Sequence, residues 1–387
     1  MPTLLAFPAW RDNPYLNLLY LAPRGAGWDV QGTTAYEELV KRTRGLGRGD
    51  VLHVHWTQPI CQTAPDEATA RERLETFVDT VTSARASGVR LVWTVHNTLP
   101  HETAYRDLEI ELAERLGELA DTVIQLNSHT VEAVADEYAL PVGKVVTLPH
   151  ASYTGIYPES VTRRQAREHL GVPLLSPTIG FVGQIRPYKG ITTLLAAAEV
   201  LGSQVEDLTL LLAGKTRDDV LPEIDRHLPR DVRTVRHHDF LSDAEMSVWF
   251  SAADVMVFPY ARVLNSGSLL LAATLGRPCV LPREPHLVAE FGDESWVSFY
   301  RPSGDVVQNL AGAVRRALVS SRRTGHDAAS YARRYTPYAM SRDFLRILDG
   351  GSPLGPTSGE QGPPSAEQGP TSAEQGPTSD EQVAASA

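Results

Sequence analysis

Between Met1 and about Gly350, short apolar runs alternate with longer stretches in which apolar residues recur at helical spacing. The runs Thr3–Phe7, Val51–Trp56, Leu91–His96, Thr122–Gln125, Val145–Leu148, Ile179–Val182, Leu208–Ala213, Val232–Arg236, Val255–Pro259 and Cys279–Leu281 predict strands. Glu67–Ala86, Tyr105–Ala120 and Val131–Tyr138 carry helical patterns between them. Strands that are apolar throughout are buried on both faces, so their alternation with helices predicts an α/β chain of parallel sheets with helices on either side. The pattern relaxes over Ser152–Ser176, a stretch containing Pro and Arg, and begins again at Ile179. That break predicts two α/β units, residues 1–160 and 176–325, followed by a closing region at 326–350.

The tail follows a different pattern. Residues 355–382 are four heptads, GPTSGEQ, GPPSAEQ, GPTSAEQ and GPTSDEQ. Each carries Gly-Pro and lacks the apolar seam of a coiled coil, so disorder is expected over 351–387. The repeats hold five acids and no base, and so supply five of the eleven net negative charges of the 387-residue chain. A net charge of −11 argues against a nucleic-acid partner, which needs a basic face, but leaves room for a local anion site. Fractions of 42% apolar and 21% charged residues are those of a globular protein with room for two cores. Cys61 and Cys279 are too few for a disulfide framework or a metal cluster. The start, MPTLLAFPAWRDNP, lacks a basic segment followed by a long apolar run, and no stretch approaches the ~20 apolar residues of a membrane helix. A cytoplasmic location is expected, with peripheral membrane contact and oligomeric state left open.

The chemistry begins at residues 181–190, Phe-Val-Gly-Gln-Ile-Arg-Pro-Tyr-Lys-Gly, which precede the helical pattern Ile191–Val200. A strand that ends in Gly183, passes Arg186 and Lys189 and opens a helix at Gly190 sets two cations beside unpaired backbone N–H groups. Such a place binds phosphate. The segment resembles the start of the C-terminal domain in GT-B glycosyltransferases of the family-4 type. The resemblance implies two Rossmann-like domains facing a cleft, with an acceptor side at 1–160, a nucleotide-sugar side at 176–325 and a crossover helix over Tyr335–Leu348. It also implies a nucleotide-diphosphate sugar as co-substrate, no further cofactor and no metal.

Further segments carry the resemblance. Leu208–Gly214 is a second buried strand ending in glycine, and Lys215 follows it toward the nucleotide. Ala253–Pro278 is similar to the family's run of strand, Pro, loop, helix and Gly-x-Pro, with Asn265, Ser266, Gly267 and Ser268 where backbone amides receive the donor phosphates. Ser266 is also a competent N-cap. Two departures stand out. Counting back from Gly276, the two glutamates of the retaining members fall at Val263 and Leu271, and Gln184 stands where many relatives have arginine. Retaining stereochemistry and the usual ribose contact are therefore not implied.

In the N-terminal half, Val92–Glu102 resembles the family's Thr-x-His segment and would place His96 near the transferred sugar. His101 and Glu102 follow as candidate bases, although Glu102 equally suits a cap for a helix starting near Thr103. His53 and His55 alternate onto one face of their strand and Trp56 onto the other, a weak case for zinc without a third ligand. The loop Trp10–Tyr15 offers rings to stack on an acceptor and Asp12 as a base for inversion. The expected activity is transfer of a hexose from a nucleotide-diphosphate donor to a hydroxyl of a glycan, glycolipid or small natural product. A second reading is a non-catalytic nucleotide-binding subunit of the same fold. A nicotinamide dehydrogenase is disfavoured because no Gly-x-Gly-x-x-Gly follows the first strand.

Overall fold

The computed structural model describes residues 1–10 and 13–356. The strands form two six-stranded parallel sheets. The first contains β1 (Thr3–Phe7), β2 (Asp29–Gly32), β3 (Val51–Val54), β4 (Arg90–Val95), β5 (Thr122–Gln125) and β6 (Val145–Thr147), in the order β2-β1-β3-β4-β5-β6. The second contains β7 (Thr178–Val182), β8 (Thr209–Ala213), β9 (Arg233–His237), β10 (Val255–Val257), β11 (Cys279–Pro282) and β12 (Val297–Tyr300), in the order β12-β11-β10-β7-β8-β9. Central strands such as β3, β7 and β8 are buried at every position, which is why they read as unbroken apolar runs.

Two strands escaped the apolar pattern. β2 reads Asp-Val-Gln-Gly and β12 reads Val-Ser-Phe-Tyr; both lie at sheet edges, where one side needs no apolar cover. The relaxed stretch before β7 contains a helix, Arg163–Leu170, with Thr162 and Gln165 forming a capping box. Its Arg167 is fully buried, which hides the helical apolar period. The guanidinium donates to Asp254 at 2.8 Å and to the carbonyl oxygens of Ala252, Pro173, Leu174 and Ser176.

The expected break at 325/326 falls inside one long helix, Val306–Arg334. The chain turns back only after it. The last helix, Pro337–Leu348, packs on the N-terminal helices Pro14–Leu19 and Leu21–Gly25. There Ser341 Oγ accepts from Ala22 N at 2.7 Å and donates to Leu19 O at 2.8 Å.

Residues 351–356 stay tied to this helix, so the expected tail starts too early. Asp343 is buried, and its Oδ2 accepts from the backbone N–H groups of Leu354 (3.1 Å) and Gly355 (2.9 Å), while Arg346 Nε donates to Ser352 O. Ending the chain after Pro356 is expected to leave thermal stability unchanged. Ending it at Gly350 strips a buried carboxylate of two donors and is expected to cost about 1–3 kcal/mol. Denaturant titration of the two truncations checks this, and equal stabilities would count against it. The repeats themselves lie outside the described residues.

Candidate active site

The second sheet reverses its strand order between β7 and β10, and the first between β1 and β3. In open parallel sheets the crevice for a ligand lies beyond the carboxyl ends of the strands at such a switch point. Both crevices open onto one cleft of about 730 Å³, lined from one half by Trp10, Asn13, His55, Trp56 and His96 and from the other by Gln184, Arg186, Tyr188, Gly267 and Ser268.

On the second sheet, β7 ends at Gly183 and the chain makes a single turn, Pro187–Lys189, before the helix Ile191–Gly202. Gly190 joins them at φ 70°, and a Cβ there would lie 2.0 Å from Pro259 O. Only glycine fits. This close approach brings the loop after β7 against the loop after β10, so the start of the helix Gly267–Thr274 and the loop with Arg186 and Lys189 share one crevice. Ser266 Oγ caps that helix by accepting from Leu269 N at 3.3 Å, and a Cβ added at Gly267 would lie 2.7 Å from the Tyr153 hydroxyl.

The Lys189 ammonium stands 4.2 Å from the Tyr260 ring centroid and 5.0 Å from that of Tyr188. Arg186 donates to the carbonyl oxygens of Ile185 (2.9 Å) and Lys215 (3.2 Å). Among the described residues neither cation has a carboxylate within ion-pair distance. Burial, and secondarily the charge of Arg186, lowers the Lys189 pKa to about 8. A half-buried ammonium held only by aromatic faces and repelled by a neighbouring cation gains most when an anion enters.

Lys215 and Asn265 differ from expectation. The Lys215 side chain is exposed and does not line the cleft; its carbonyl oxygen anchors Arg186 instead. Asn265 bridges the halves: its Nδ2 donates to His96 O at 3.1 Å and its Oδ1 accepts from Asn127 Nδ2 at 3.1 Å. Glu102 caps no helix, because the next one starts at Arg106 after Tyr105; its carboxylate pairs with Arg217 at 2.8 Å. His101 stacks on Tyr188 with centroids 3.8 Å apart, and burial, with Lys189 and Arg262 nearby, lowers its pKa to about 4. Asp12 lies outside the described residues.

Across the cleft, the alternation along β3 sends His53 and His55 to the Tyr20 hydroxyl, at 2.9 Å from His53 Nδ1 and 2.6 Å from His55 Nε2. The chain continues at both ends: His53 Nε2 meets Thr94 Oγ1 at 2.8 Å, and His55 Nδ1 meets His96 Nε2 at 3.1 Å. The histidine nitrogens facing these contacts are therefore not disposed around a metal. Burial lowers the His53 pKa to about 3 and holds those of His55 and His96 well below the usual value, so all three rings are neutral.

Neutrality fixes every proton in the chain. The buried Thr94 hydroxyl has no partner among the described residues except His53 Nε2, so it donates there rather than bury an unused O–H. His53 then carries its proton on Nδ1 and donates to Tyr20. Tyr20 donates to His55 Nε2, and His55 Nδ1–H donates to His96 Nε2. His96 is left with its proton on Nδ1 and its acceptor nitrogen occupied. Its ring lies flat on Trp56, centroids 4.1 Å apart, and lines the cleft. His96, expected near the transferred sugar, thus lines the cleft as a neutral imidazole whose acceptor nitrogen is taken by His55.

Thr94→Val removes the donor that sets this polarity and leaves a buried imidazole nitrogen unpaired. The expected cost is about 1–3 kcal/mol of stability. In ¹⁵N NMR the native protein should show Nδ1–H tautomers for His53, His55 and His96, and the variant a mixture. An Nε2–H tautomer at His96 in the native protein would refute the assignment.

Sequence reasoning missed Tyr20, Thr94, Tyr153 and Glu109. Glu109 lines the cleft floor, buried, with its pKa raised by burial; it accepts from Thr57 Oγ1 and, at 2.8 Å, from Gln62 Nε2. It lies in the first turn of the helix Arg106–Leu119, between the other acids Asp107 and Glu111, and nothing in the sequence sets it apart.

Residues 176–320 match the family model of glycosyl transferases group 1. The chain is 26% identical over 307 residues to GDP-mannose:glycolipid 4-beta-D-mannosyltransferase of Xanthomonas campestris pv. campestris, covering 77% of this chain and 78% of the relative. It is 27% identical over 295 residues to D-inositol 3-phosphate glycosyltransferase of Corynebacterium efficiens, covering 68% of each. Among solved structures, Anabaena HepE in complex with UDP-glucose superposes with a TM-score of 0.66 at 14% identity, covering 90% of this chain and 100% of that one. Sucrose-phosphate synthase from Thermosynechococcus elongatus gives 0.66 at 18% identity, covering 90% and 99%. Residues 176–320 thus match glycosyl transferases group 1 within a GT-B fold. These likenesses support transfer of a glycosyl group from a nucleotide-sugar donor.

In this chain the two positions of the acidic pair are apolar in the fold as in the sequence. Leu271 is buried against the cleft, and Val263 contributes its carbonyl oxygen to His286 Nε2 at 2.9 Å. No described helix is long and apolar enough to cross a membrane.

Proposed function

We propose that this protein transfers a hexose, with inversion, to a hydroxyl of a glycan or glycolipid acceptor. The donor diphosphate lies over Gly183–Gly190 and the start of the helix Gly267–Thr274, where Arg186, Lys189 and backbone amides of Ser266, Gly267 and Ser268 take up its charge. Both cations gain strength as negative charge grows on the departing nucleotide, so they act mainly in the transition state. The Tyr153 hydroxyl, which burial keeps protonated, donates to the same phosphates. His96 Nδ1–H orients an oxygen of the transferred sugar, and the acceptor packs against the touching rings of Trp10 and Trp56, which both line the cleft. The observation that carries this reading is Arg186, without a carboxylate partner among the described residues, lining at the β7/β10 switch point the same cleft as the neutral His96, with Lys189, likewise without one, on the same loop against Tyr188 and Tyr260.

Inversion is favoured because Val263 and Leu271 offer no carboxylate beneath the sugar. The name of the Xanthomonas relative specifies a β-mannosyl product, which inversion of an α-linked donor gives. The same apolar pair supports the second reading, a nucleotide-binding subunit without turnover. Thermal shift against UDP, GDP and dTDP identifies the nucleotide, since a tight ligand raises the melting temperature by mass action. Incubation with the matching sugar nucleotide and glycan or glycolipid acceptors then separates the readings: nucleotide binding without product on any acceptor would favour the subunit.

A further inference from the structure

The helix Val306–Arg334 packs one face on the second sheet and on the helices Ile191–Gly202 and Gly267–Thr274, and turns another face outward. Arg315, Arg316, Val319, Arg322, Arg323 and His326 are all exposed. At 100° per residue their directions fall within an arc of about 120°, and from first to last they extend over about 17 Å of helix. Arg333 continues the line two turns on. None of Arg315, Arg316, Arg322 and Arg323 lies within ion-pair distance of a carboxylate among the described residues. The one acid on this helix beyond its cap, Asp327, accepts from Ser295 Oγ at the edge of the arc.

In a chain of net charge −11, four adjacent arginines without counter-charges are a marked local segregation. At their centre stands Val319, 87% exposed. A ring of arginines around an outward apolar side chain is the pattern of a helix lying on a bilayer surface, where guanidinium groups meet headgroup phosphates and the apolar group enters the acyl boundary. A nucleic-acid site would use the arginines but gain nothing from the valine. We infer that this face docks the protein on an anionic lipid surface through lipid phosphates. The inference rests on this helix alone and holds for any acceptor.

The test is co-sedimentation of the full chain with vesicles of phosphatidylcholine alone or mixed with phosphatidylglycerol. Binding to the mixed vesicles only, weakening as salt is raised, is expected. Substituting all four arginines, Arg315→Gln, Arg316→Gln, Arg322→Gln and Arg323→Gln, should lower the partition by roughly 10²–10³-fold, because each basic residue near such a surface contributes about fivefold. Val319→Asp should also weaken binding, and both variants should keep the native melting temperature and the nucleotide-induced thermal shift. Native protein that stays in the supernatant with phosphatidylglycerol at low salt would overturn the inference. So would a quadruple variant that binds as well as the native chain. Binding to duplex DNA as strong as to the mixed vesicles and unaffected by Val319→Asp would overturn it in favour of nucleic acid.

Discussion

Lys189→Ala and Arg186→Ala are each expected to lower turnover by roughly 10²-fold or more, the scale of losing one preorganised group that stabilises developing charge. Both variants should fold, since neither side chain holds a carboxylate that would be left unpaired. The lysine effect also has a pH signature. In the free enzyme the Lys189 pKa lies at about 8, depressed by burial and by Arg186, and an arriving diphosphate favours the charged form and raises it. The bound state therefore holds more proton than the free state above pH 8, so nucleotide affinity should fall as pH rises, by up to about tenfold per unit until the pKa of the complex is reached. Lys189→Ala should bind nucleotide more weakly at neutral pH and lose that slope. Calorimetric titration of the nucleotide between pH 7 and 10 reads both quantities, and a native affinity flat across that range would remove Lys189 from the phosphate site.

The sequence made the second half more legible than the first. Around the β7/β10 switch point, chemistry and backbone are written together: a glycine that must approach Pro259, two cations and a helix start all sit within ten residues. The parallel sheets were legible for a similar reason, because strands buried on both faces leave unbroken apolar runs, while the edge strands β2 and β12 do not. The chain through His53, Tyr20, His55 and His96 joins three segments far apart in sequence. Its function as a unit depends on Thr94, a residue with no chemical signal of its own. Alternation put His53 and His55 on one face, but only the fold shows that Tyr20 lies between them and that their last acceptor is the nitrogen on which a base would depend.

The contacts between halves were likewise unreadable. Asn265 looked like part of a phosphate-binding helix start, yet its amide spans from Asn127 to the His96 carbonyl. The His101–Tyr188 stack and the Glu102–Arg217 pair connect the same loop after β4 to the loops after β7 and β8. The exposed Glu102–Arg217 pair contributes little stability. These contacts instead hold the loop after β4 against the loops that carry Arg186 and Lys189.

The position of the base follows from what the other candidates already do. His96 has its acceptor nitrogen taken by His55. His101 is stacked on Tyr188 beside Lys189 and Arg262, which oppose the positive charge it would gain as a base, whereas a carboxylate becomes neutral on taking the proton. The Glu102 carboxylate is paired with Arg217. Of the four candidates Asp12 is left; Glu109 also lines the cleft, but its carboxylate is engaged by Thr57 and Gln62, whereas Trp10 and Asn13, on either side of Asp12 in sequence, both line the cleft. We propose Asp12 as the general base of an inverting displacement, taking the acceptor proton as its oxygen attacks the anomeric carbon and the nucleotide diphosphate leaves. Asp12→Asn is expected to reduce turnover by roughly 10²–10⁴-fold, the usual contribution of a positioned base, with nucleotide affinity unchanged. His101→Ala and Glu102→Ala should lose less. Proton NMR of the product should show the anomeric configuration opposite to the donor's. A retained configuration, or near-native turnover in Asp12→Asn, would defeat the assignment.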